Sequence, residues 1–231
     1  MTKAIRIHTT GGPEVMKWED VPTPEPGPGE VLLKQAAIGL NYIDVYFRSG
    51  LYKAPTMPLI IGQEGAGTVA ALGAGVVSLA VGDRVAYAGA IGGYATQRVI
   101  AADRLVKVPD GIALETAATT MLQGMTAQYL LRRTYKVKQG DTIVVHAAAG
   151  GVGLIMCQWA KYLGATVIGV VSTEAKAELA AHTVPPIPSS ATRPWQPRSS
   201  ASPAAPWYPW SMTASARTRL PPASTASPRS D

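Results

Sequence analysis

The sequence predicts an α/β protein with a β-rich N-terminal domain, the beginning of a doubly wound parallel sheet and an irregular tail. Short strand-like segments between glycine turns fill residues 1–110, a strand–turn–helix–strand pattern spans 141–173, and all 23 glycines precede residue 182. This order of elements is typical of two successive domains. The expected boundaries are 1–121 for the β domain, 122–182 for the partial parallel sheet and 183–231 for the tail.

The tail differs in composition from the rest of the chain. Of its 49 residues, 39 are Pro, Ser, Ala, Thr or Arg, and it holds 11 of the 19 prolines. Its five arginines and single acid, Asp231, supply +4 of the formal net charge of +6. The remaining chain is nearly neutral, which argues against nucleic acid as a partner. A tail of this composition is expected to be disordered.

Cysteine content and hydropathy indicate the compartment. The single cysteine, Cys157, excludes an intrachain disulfide and a cysteine-rich metal site, and it is expected to be a small core residue. The N-terminus has no apolar segment of signal-peptide length, and no run approaches the roughly 18 apolar residues of a membrane span. We therefore expect a cytoplasmic protein with no membrane partner.

In the N-terminal domain, each strand candidate is a short apolar or alternating segment beside a glycine turn. The alternating prolines of residues 22–28 predict an extended loop. The strand candidates are residues 4–9, 30–38, 67–72, 83–89, 94–100 and 104–109.

Helical spacing begins after residue 113. Leu122, Met125, Tyr129 and Leu130 recur at helical intervals and are expected to share one face, with Gly124 breaking the helix. A βαβ unit follows. It consists of buried parallel strands at 141–147 and 165–172, a helix at 154–163, and a further helix at 173–182 with Ser172 or Thr173 as its N-cap.

The turn of this βαβ unit carries the spacing A-x-G-x-x-G, from Ala148 to Gly153. Small residues let the backbone approach a pyrophosphate, and the following helix N-terminus offers N–H groups and partial positive charge to the phosphates. The flanking strand, helix and second strand are the context that this fingerprint requires. We expect Gly150, Gly151, Val152 and Gly153 to bind a dinucleotide; the alternative is a tight structural turn.

The end of the second strand favours NADPH over NADH. NAD sites place an acid there for the ribose 2′-hydroxyl. Here Ser172, Thr173 and Lys176 offer hydroxyls and a cation, which suit a 2′-phosphate. Glu174 is the competing feature, although the dipole of the helix that it opens also explains an acid at this position.

Four segments resemble the zinc-free quinone oxidoreductases, the zeta-crystallin-like branch of the medium-chain dehydrogenase/reductase superfamily. They are AIGLNYIDVYFRSGLY (37–52), GQEGAGTV (62–69), GMTAQYLLRRTYKVKQGD (124–141) and HAAAGGVGLIMCQWAK (146–161). The resemblance runs without obvious gaps from residue 1 to about 182. It implies a GroES-like β domain, then a Rossmann domain, and a homodimer.

The resemblance also implies site residues. Asn41, Tyr42, Asp44 and Tyr46 would line a cleft beside the nicotinamide, while Thr126 and Tyr129 would contact the cofactor from the Rossmann side. Tyr46 is the candidate acid/base residue, with a packed tyrosine as the alternative reading. For Asn41 the alternative is an amide that caps a turn.

No zinc site is expected. Zinc-dependent members of the superfamily carry Cys and His where this chain has Asn41 and Gln63, and they carry a four-cysteine lobe that is absent here. Glu64 alone cannot supply the roughly three protein ligands of a catalytic zinc. The three histidines, His8, His146 and His182, are expected to be structural.

The implied activity is zinc-free hydride transfer from NADPH to a quinone. A delocalised acceptor needs little activation, and the cofactor carries the difficult chemistry. Another zinc-free enone or carbonyl reductase is the alternative enzyme. A non-catalytic crystallin-like or RNA-binding role, known in this branch, is the alternative of a different class.

The tail is interpreted as the product of a reading-frame shift, with a natural Pro/Ser-rich disordered linker as the alternative. The family continues for well over a hundred residues past His182. Back-translation of residues 209–217 in another frame permits V-V-Y-D-G-V-G, close to the family's next Rossmann strand. The expected consequence is a truncated Rossmann domain with little or no activity.

Overall fold

The computed structural model describes residues 1–181, and its contacts divide them into a first unit, Met1–Met125, and a second unit that begins at Thr126. The tail prediction and His182 lie outside the described residues. No helix among residues 1–181 is both long and apolar enough to span a membrane.

The first unit contains eight strands and one complete helix. In chain order they are β1 (Thr2–Ile7), β2 (Met16–Val21), β3 (Glu30–Ile38), α1 (Tyr42–Ser49), β4 (Leu59–Ile60), β5 (Glu64–Leu72), β6 (Arg84–Ala88), β7 (Gln97–Ala101) and β8 (Val106–Lys107). Single 3-10 turns lie at Pro13–Val15 and Ala102–Arg104. All six predicted strand segments overlap an observed strand, whereas β2, β4 and α1 were not predicted.

These strands form two antiparallel sheets, one in the order β2-β1-β4 and one in the order β7-β3-β5-β6-β8. The segment before β7 joins them, because Ile5 N–H donates to Tyr94 O at 2.8 Å and Thr96 N–H donates to Lys3 O at 2.8 Å. The core is built from alternate residues of the strands. It comprises Ile7, Val31, Leu33, Leu59, Ile61, Val69, Val85, Tyr87, Tyr94 and Ile100.

Helix α2 (Leu114–Gln128) continues through Gly124, so the predicted break there is wrong. The remaining turn, Tyr129–Thr134, is π-helical. The predicted apolar face is also wrong, since Met125 and Tyr129 are 47% and 55% exposed while Ala118, Ala127 and Leu131 are buried. The helix buries its small side chains, and this lets its backbone approach its neighbours closely.

The second unit contains the predicted βαβ pattern. Its elements are β9 (Thr142–His146), α3 (Gly151–Tyr162), β10 (Thr166–Val170) and α4 (Glu174–Ala181). β9 and β10 are parallel and in register from Thr142 opposite Thr166 to His146 opposite Val170. Val145, Ala148, Cys157, Ala160 and Val167 share one core.

Three details of this unit bear on the predictions. Cys157 is a fully buried core residue, as expected, and burial raises the pKa of its thiol. Thr173 caps α4, because the Lys176 N–H donates to its Oγ1 at 3.3 Å. The strands were expected to be buried on both faces, but Val144 of β9 is 50% exposed, so the described part of β9 is half-buried.

Candidate functional site

The glycine turn connects β9 to α3 as the sequence predicts. Gly150 is the N-cap of α3 and offers no side chain to cap it, and its N–H donates to Ala147 O at 2.8 Å. The first N–H groups of any helix lack intrahelical acceptors. The N–H groups of Gly151, Val152 and Gly153 are therefore available, together with the positive end of the helix dipole, for an anion.

Close packing beneath the turn explains why it is made of small residues. A Cβ atom on Gly153 would overlap Ala147 O and lie 2.8 Å from Ala148 Cα. Ala148 is fully buried, and its N–H donates to Val170 O at 3.1 Å, which ties the turn to β10. Ala147 adopts a φ of 50°, a conformation that is unfavourable for a residue with a Cβ. The packing beneath the turn therefore leaves no room for a side chain at Gly153.

The end of β10 brings together the residues predicted for a 2′-phosphate. Lys176 Nζ lies 3.2 Å from Ser172 Oγ and donates to it, and both side chains are exposed beside the exposed Thr173. Glu174 begins α4 next to this group, in the first turn, where the helix dipole favours an acid. A cation and two hydroxyls therefore lie together on the surface of the second unit.

Thr126 and Tyr129, the other predicted contacts in this unit, lie at the end of α2 and at the start of the π-helical turn. Thr126 is half-buried, and Tyr129 is exposed.

In the first unit, α1 carries the remaining predicted residues. Asn41 is its N-cap and forms a capping box with Asp44, whose Oδ2 accepts from the Asn41 N–H at 3.0 Å. Tyr42 is 72% exposed. Tyr46 is half-buried, with edge contacts to Tyr42 and to Tyr52 at centroid distances of 5.6 and 5.2 Å. The helix therefore presents two aromatic rings next to its capped N-terminus.

Two buried carboxyl groups, those of Asp44 and Glu64, lie at the N-terminal end of α1. Asp44 Oδ2 also accepts from the Tyr94 hydroxyl at 2.9 Å, while Asp44 Oδ1 is buried with no partner among the described residues. Glu64 is fully buried at the start of β5; its Oε2 accepts from Asn41 Nδ2 at 2.6 Å and its Oε1 from the Leu122 N–H at 2.7 Å. Burial raises the pKa of both carboxyl groups, and the charge of Asp44 raises that of Glu64 further.

Sequence reasoning missed the roles of Glu64 and Tyr94. Glu64 was considered only as a possible metal ligand. The available signal was one acid in the small and apolar run GQEGAGTV, where a charge needs a partner.

The described residues contain no group of three or more His, Cys, Asp or Glu side chains that could hold a metal ion. His146 ends β9 and is exposed, while His8 follows β1, with Nε2 2.6 Å from Glu19 Oε1.

Comparisons with known proteins agree with this geometry. Residues 27–110 match the alcohol dehydrogenase GroES-like domain. A quinone oxidoreductase of Pseudomonas aeruginosa is 55% identical over 181 residues, or 78% of this chain and 56% of that protein. A 2-haloacrylate reductase of a Burkholderia species is 47% identical over 186 residues, or 78% of this chain and 56% of that protein.

A solved structure is similar as well. The crystal structure of Escherichia coli quinone oxidoreductase complexed with NADPH superimposes with a TM-score of 0.77 and 46% identity, covering 78% of this chain and 56% of that one. The chain spans about 56% of the length of the relatives that it matches. Over the stretch that these comparisons cover, the chain belongs to the quinone oxidoreductase branch of the medium-chain dehydrogenase/reductase superfamily.

Proposed function

We propose that the chain binds NADPH through the glycine turn of its second unit, and that a complete protein of this kind reduces a quinone. The carrying observation is the parallel β9–β10 pair, whose turn leaves helix N–H groups available while Lys176 and Ser172 meet at the end of β10. The NADPH complex of the similar Escherichia coli enzyme supports the choice of cofactor.

The pyrophosphate is proposed to bind at the N-terminus of α3. Gly151, Val152 and Gly153 are proposed to present main-chain N–H groups there, beside the N-cap Gly150, and the three glycines carry no Cβ atom. The dipole of the 12-residue helix adds favourable interaction with a negative charge, typically about 0.3–1 kcal/mol at an exposed site.

The 2′-phosphate is proposed to bind Ser172, Thr173 and Lys176. The 3.2 Å contact between Lys176 Nζ and Ser172 Oγ holds the cation beside the hydroxyl, so both can donate to one phosphate. No acid occupies the last position of β10 or the two residues after it, where a site for the NAD 2′-hydroxyl would place one.

Further contacts with the cofactor are proposed separately in each unit. Asn41, Tyr42 and Asp44 are proposed to bind or support the nicotinamide end, and Tyr46 is the proposed acid/base residue. Thr126 and Tyr129 are proposed to contact the cofactor from the second unit. The proposal for Asn41 and Tyr46 rests on their positions. Asn41 caps the start of α1 and Tyr46 has a half-buried ring, and both side chains are partly exposed.

When bound, the cofactor supplies a hydride, and a quinone accepts it without a Lewis acid. The residues of this chain are proposed to bind the cofactor, to orient its nicotinamide end and to exclude water from the reacting atoms. A homodimer is proposed for the complete protein, from the family resemblance, and a cytoplasmic location is proposed from the single cysteine of the chain.

Two measurements test the proposal. NADPH binding to the 231-residue chain is followed by fluorescence, with NADH as the comparison. NADPH consumption is then assayed with a panel of quinones and enones, both for this chain and for the longer protein encoded when the other frame is restored after residue 182. We expect quinone reduction by the longer protein and little by this chain. Consumption with neither acceptor class would refute the enzymatic proposal, and turnover of enones alone would favour the 2-haloacrylate reductase type.

A further inference from the structure

We propose that Glu64 is a positioning residue that fixes the direction of the Asn41 carboxamide. The inference rests on the proposed function in one respect, namely that Asn41 faces the bound cofactor. The observation behind it is the chain of contacts that links Leu122, Glu64 and Asn41 within the first unit.

The directions of these hydrogen bonds allow only one orientation of the Asn41 carboxamide. The Leu122 N–H belongs to the backbone and can only donate, so Glu64 Oε1 must accept. An ionised carboxylate has no donor, so Oε2 must accept as well. The group of Asn41 that faces Oε2 at 2.6 Å is therefore its Nδ2 and not its oxygen.

The carboxylate of Glu64 is closely surrounded by the residues that pack against it. Glu64 is fully buried, and a Cβ atom on Gly39 would overlap both Glu64 Oε2 and Ala118 O. The lack of a side chain at Gly39 is what makes room for the carboxylate. The Glu64 carboxylate thus lies between α2 on one side and Asn41 on the other.

The other end of the carboxamide faces the backbone of Asp44 in the capping box, where the Asp44 N–H donates to the Asn41 main-chain oxygen at 3.0 Å. A rotation of the amide by 180° would place its oxygen against Glu64 Oε2 and lose the hydrogen bond from Nδ2. The hydrogen and lone pair that remain therefore point in set directions, which is what a ligand contact requires.

Glu64→Gln tests the assignment because glutamine has the shape of glutamate but replaces one carboxylate oxygen, an acceptor, by an NH₂ group, a donor. The introduced amide must give its oxygen to the Leu122 N–H, so its NH₂ group faces Asn41. Two NH₂ groups cannot bond, so the Asn41 carboxamide must turn over and present its oxygen to the new amide. Adding Asn41→Asp repairs the match, since a carboxylate at position 41 accepts from the new amide and is a good N-cap.

The first readout needs no cofactor and is made at a pH above the folded-state pKa of Glu64, which burial raises, so that the carboxylate is ionised. In the full chain, NMR should show a low-field Asn41 side-chain N–H that is lost in Glu64→Gln and kept in the matched surface control Glu25→Gln. The double variant should melt above both single variants. Unchanged Asn41 signals, or melting temperatures that simply add, would overturn the proposal.

The second readout is NADPH affinity. We expect Glu64→Gln to weaken binding by about fivefold, the effect of one lost hydrogen bond, with Glu25→Gln unchanged. If the Asn41 signals reverse but affinity does not change, Glu64 does not position a cofactor contact and the proposal fails. If the unsubstituted chain binds no NADPH, the proposed function fails, whereas the NMR and melting results still decide the positioning of Asn41.

Discussion

Gly153 packs directly against Ala147: a Cβ atom on the glycine would overlap the carbonyl oxygen of the alanine. The same carbonyl accepts the Gly150 N–H at 2.8 Å, and Ala147 itself has a φ of 50°. The turn that opens α3 is therefore closed around one carbonyl group that leaves no room for a side chain at Gly153.

Gly153→Ala should accordingly destabilise the second unit and weaken NADPH binding together. The new methyl group meets backbone atoms that cannot turn aside, and overpacking of this kind costs about 1–3 kcal/mol. Unfolding by denaturant measures the stability, and fluorescence titration measures the affinity.

Gly124→Ala is the matched control. Its Cβ atom would meet only Thr120 Cγ2, at an ordinary 3.5 Å, within helix α2. Because alanine favours the helix interior by roughly 0.5–1 kcal/mol over glycine, this variant should be neutral or more stable. A Gly153→Ala variant that behaves like the control would show that the turn is looser than described.

Lys176→Ala should separate the two cofactors. Only NADPH carries the extra phosphate, and a charge-assisted contact of about 1.5–3 kcal/mol corresponds to roughly 10- to 150-fold in affinity. NADH binding should change little. The comparison is a titration of both cofactors against the same protein.

Lys161→Ala provides the matched loss of charge, since Lys161 is an exposed lysine in the last turn of α3. It should leave both affinities unchanged. Equal losses for NADPH and NADH in Lys176→Ala would remove Lys176 from the phosphate site.

The βαβ unit could be predicted because its signals are local. The glycine spacing, the two apolar strands and the cap at Thr173 all lie within about thirty residues, and each depends on its neighbours in sequence. The pairing of β9 with β10 follows from this order, since a crossover through a helix makes two strands parallel.

The unbroken helix α2 and the helix α1 could not be predicted, because they depend on contacts between residues that are distant in sequence. One glycine costs a helix only about 1 kcal/mol, and packing of Ala118 and Ala127 outweighs that at Gly124. The YIDVYF run of α1 is rich in residues that favour strands, whereas its cap Asn41 is held by Glu64, 23 residues away. No local pattern connects these two side chains.

The absence of a zinc requirement is also testable. Asn41 and Glu64 are bonded to each other, so they are already satisfied without a metal ion. Elemental analysis of the purified chain should find no stoichiometric zinc, and a strong chelator should leave the melting temperature unchanged. One tightly held zinc ion per chain would contradict the contact described between Asn41 and Glu64.

The stability of the first unit should fall as pH rises through the folded-state pKa values of Glu64 and Asp44. Burial raises both values above those of the unfolded chain, which are about 4.3 for Glu and 3.9 for Asp. Between the unfolded and folded values the folded state holds more protons, so raising the pH favours unfolding. The stabilising contribution is complete below about pH 4 and is lost above the raised pKa, with a slope of at most about 1.4 kcal/mol per pH unit for each group.

Glu64→Gln isolates the contribution of Glu64 to the pH dependence of the unfolding free energy. Asp83→Asn isolates a contribution of the opposite sign. The hydrogen bond from Lys107 lowers the pKa of Asp83, so its contribution is present at neutral pH and is lost as pH falls through the folded value. Denaturant unfolding of the three proteins at several pH values gives the two differences. The stability of the unsubstituted chain relative to Glu64→Gln should decrease with rising pH, and relative to Asp83→Asn it should increase. A flat difference for Glu64→Gln would mean that the Glu64 carboxyl titrates in the folded chain as it does in the unfolded one.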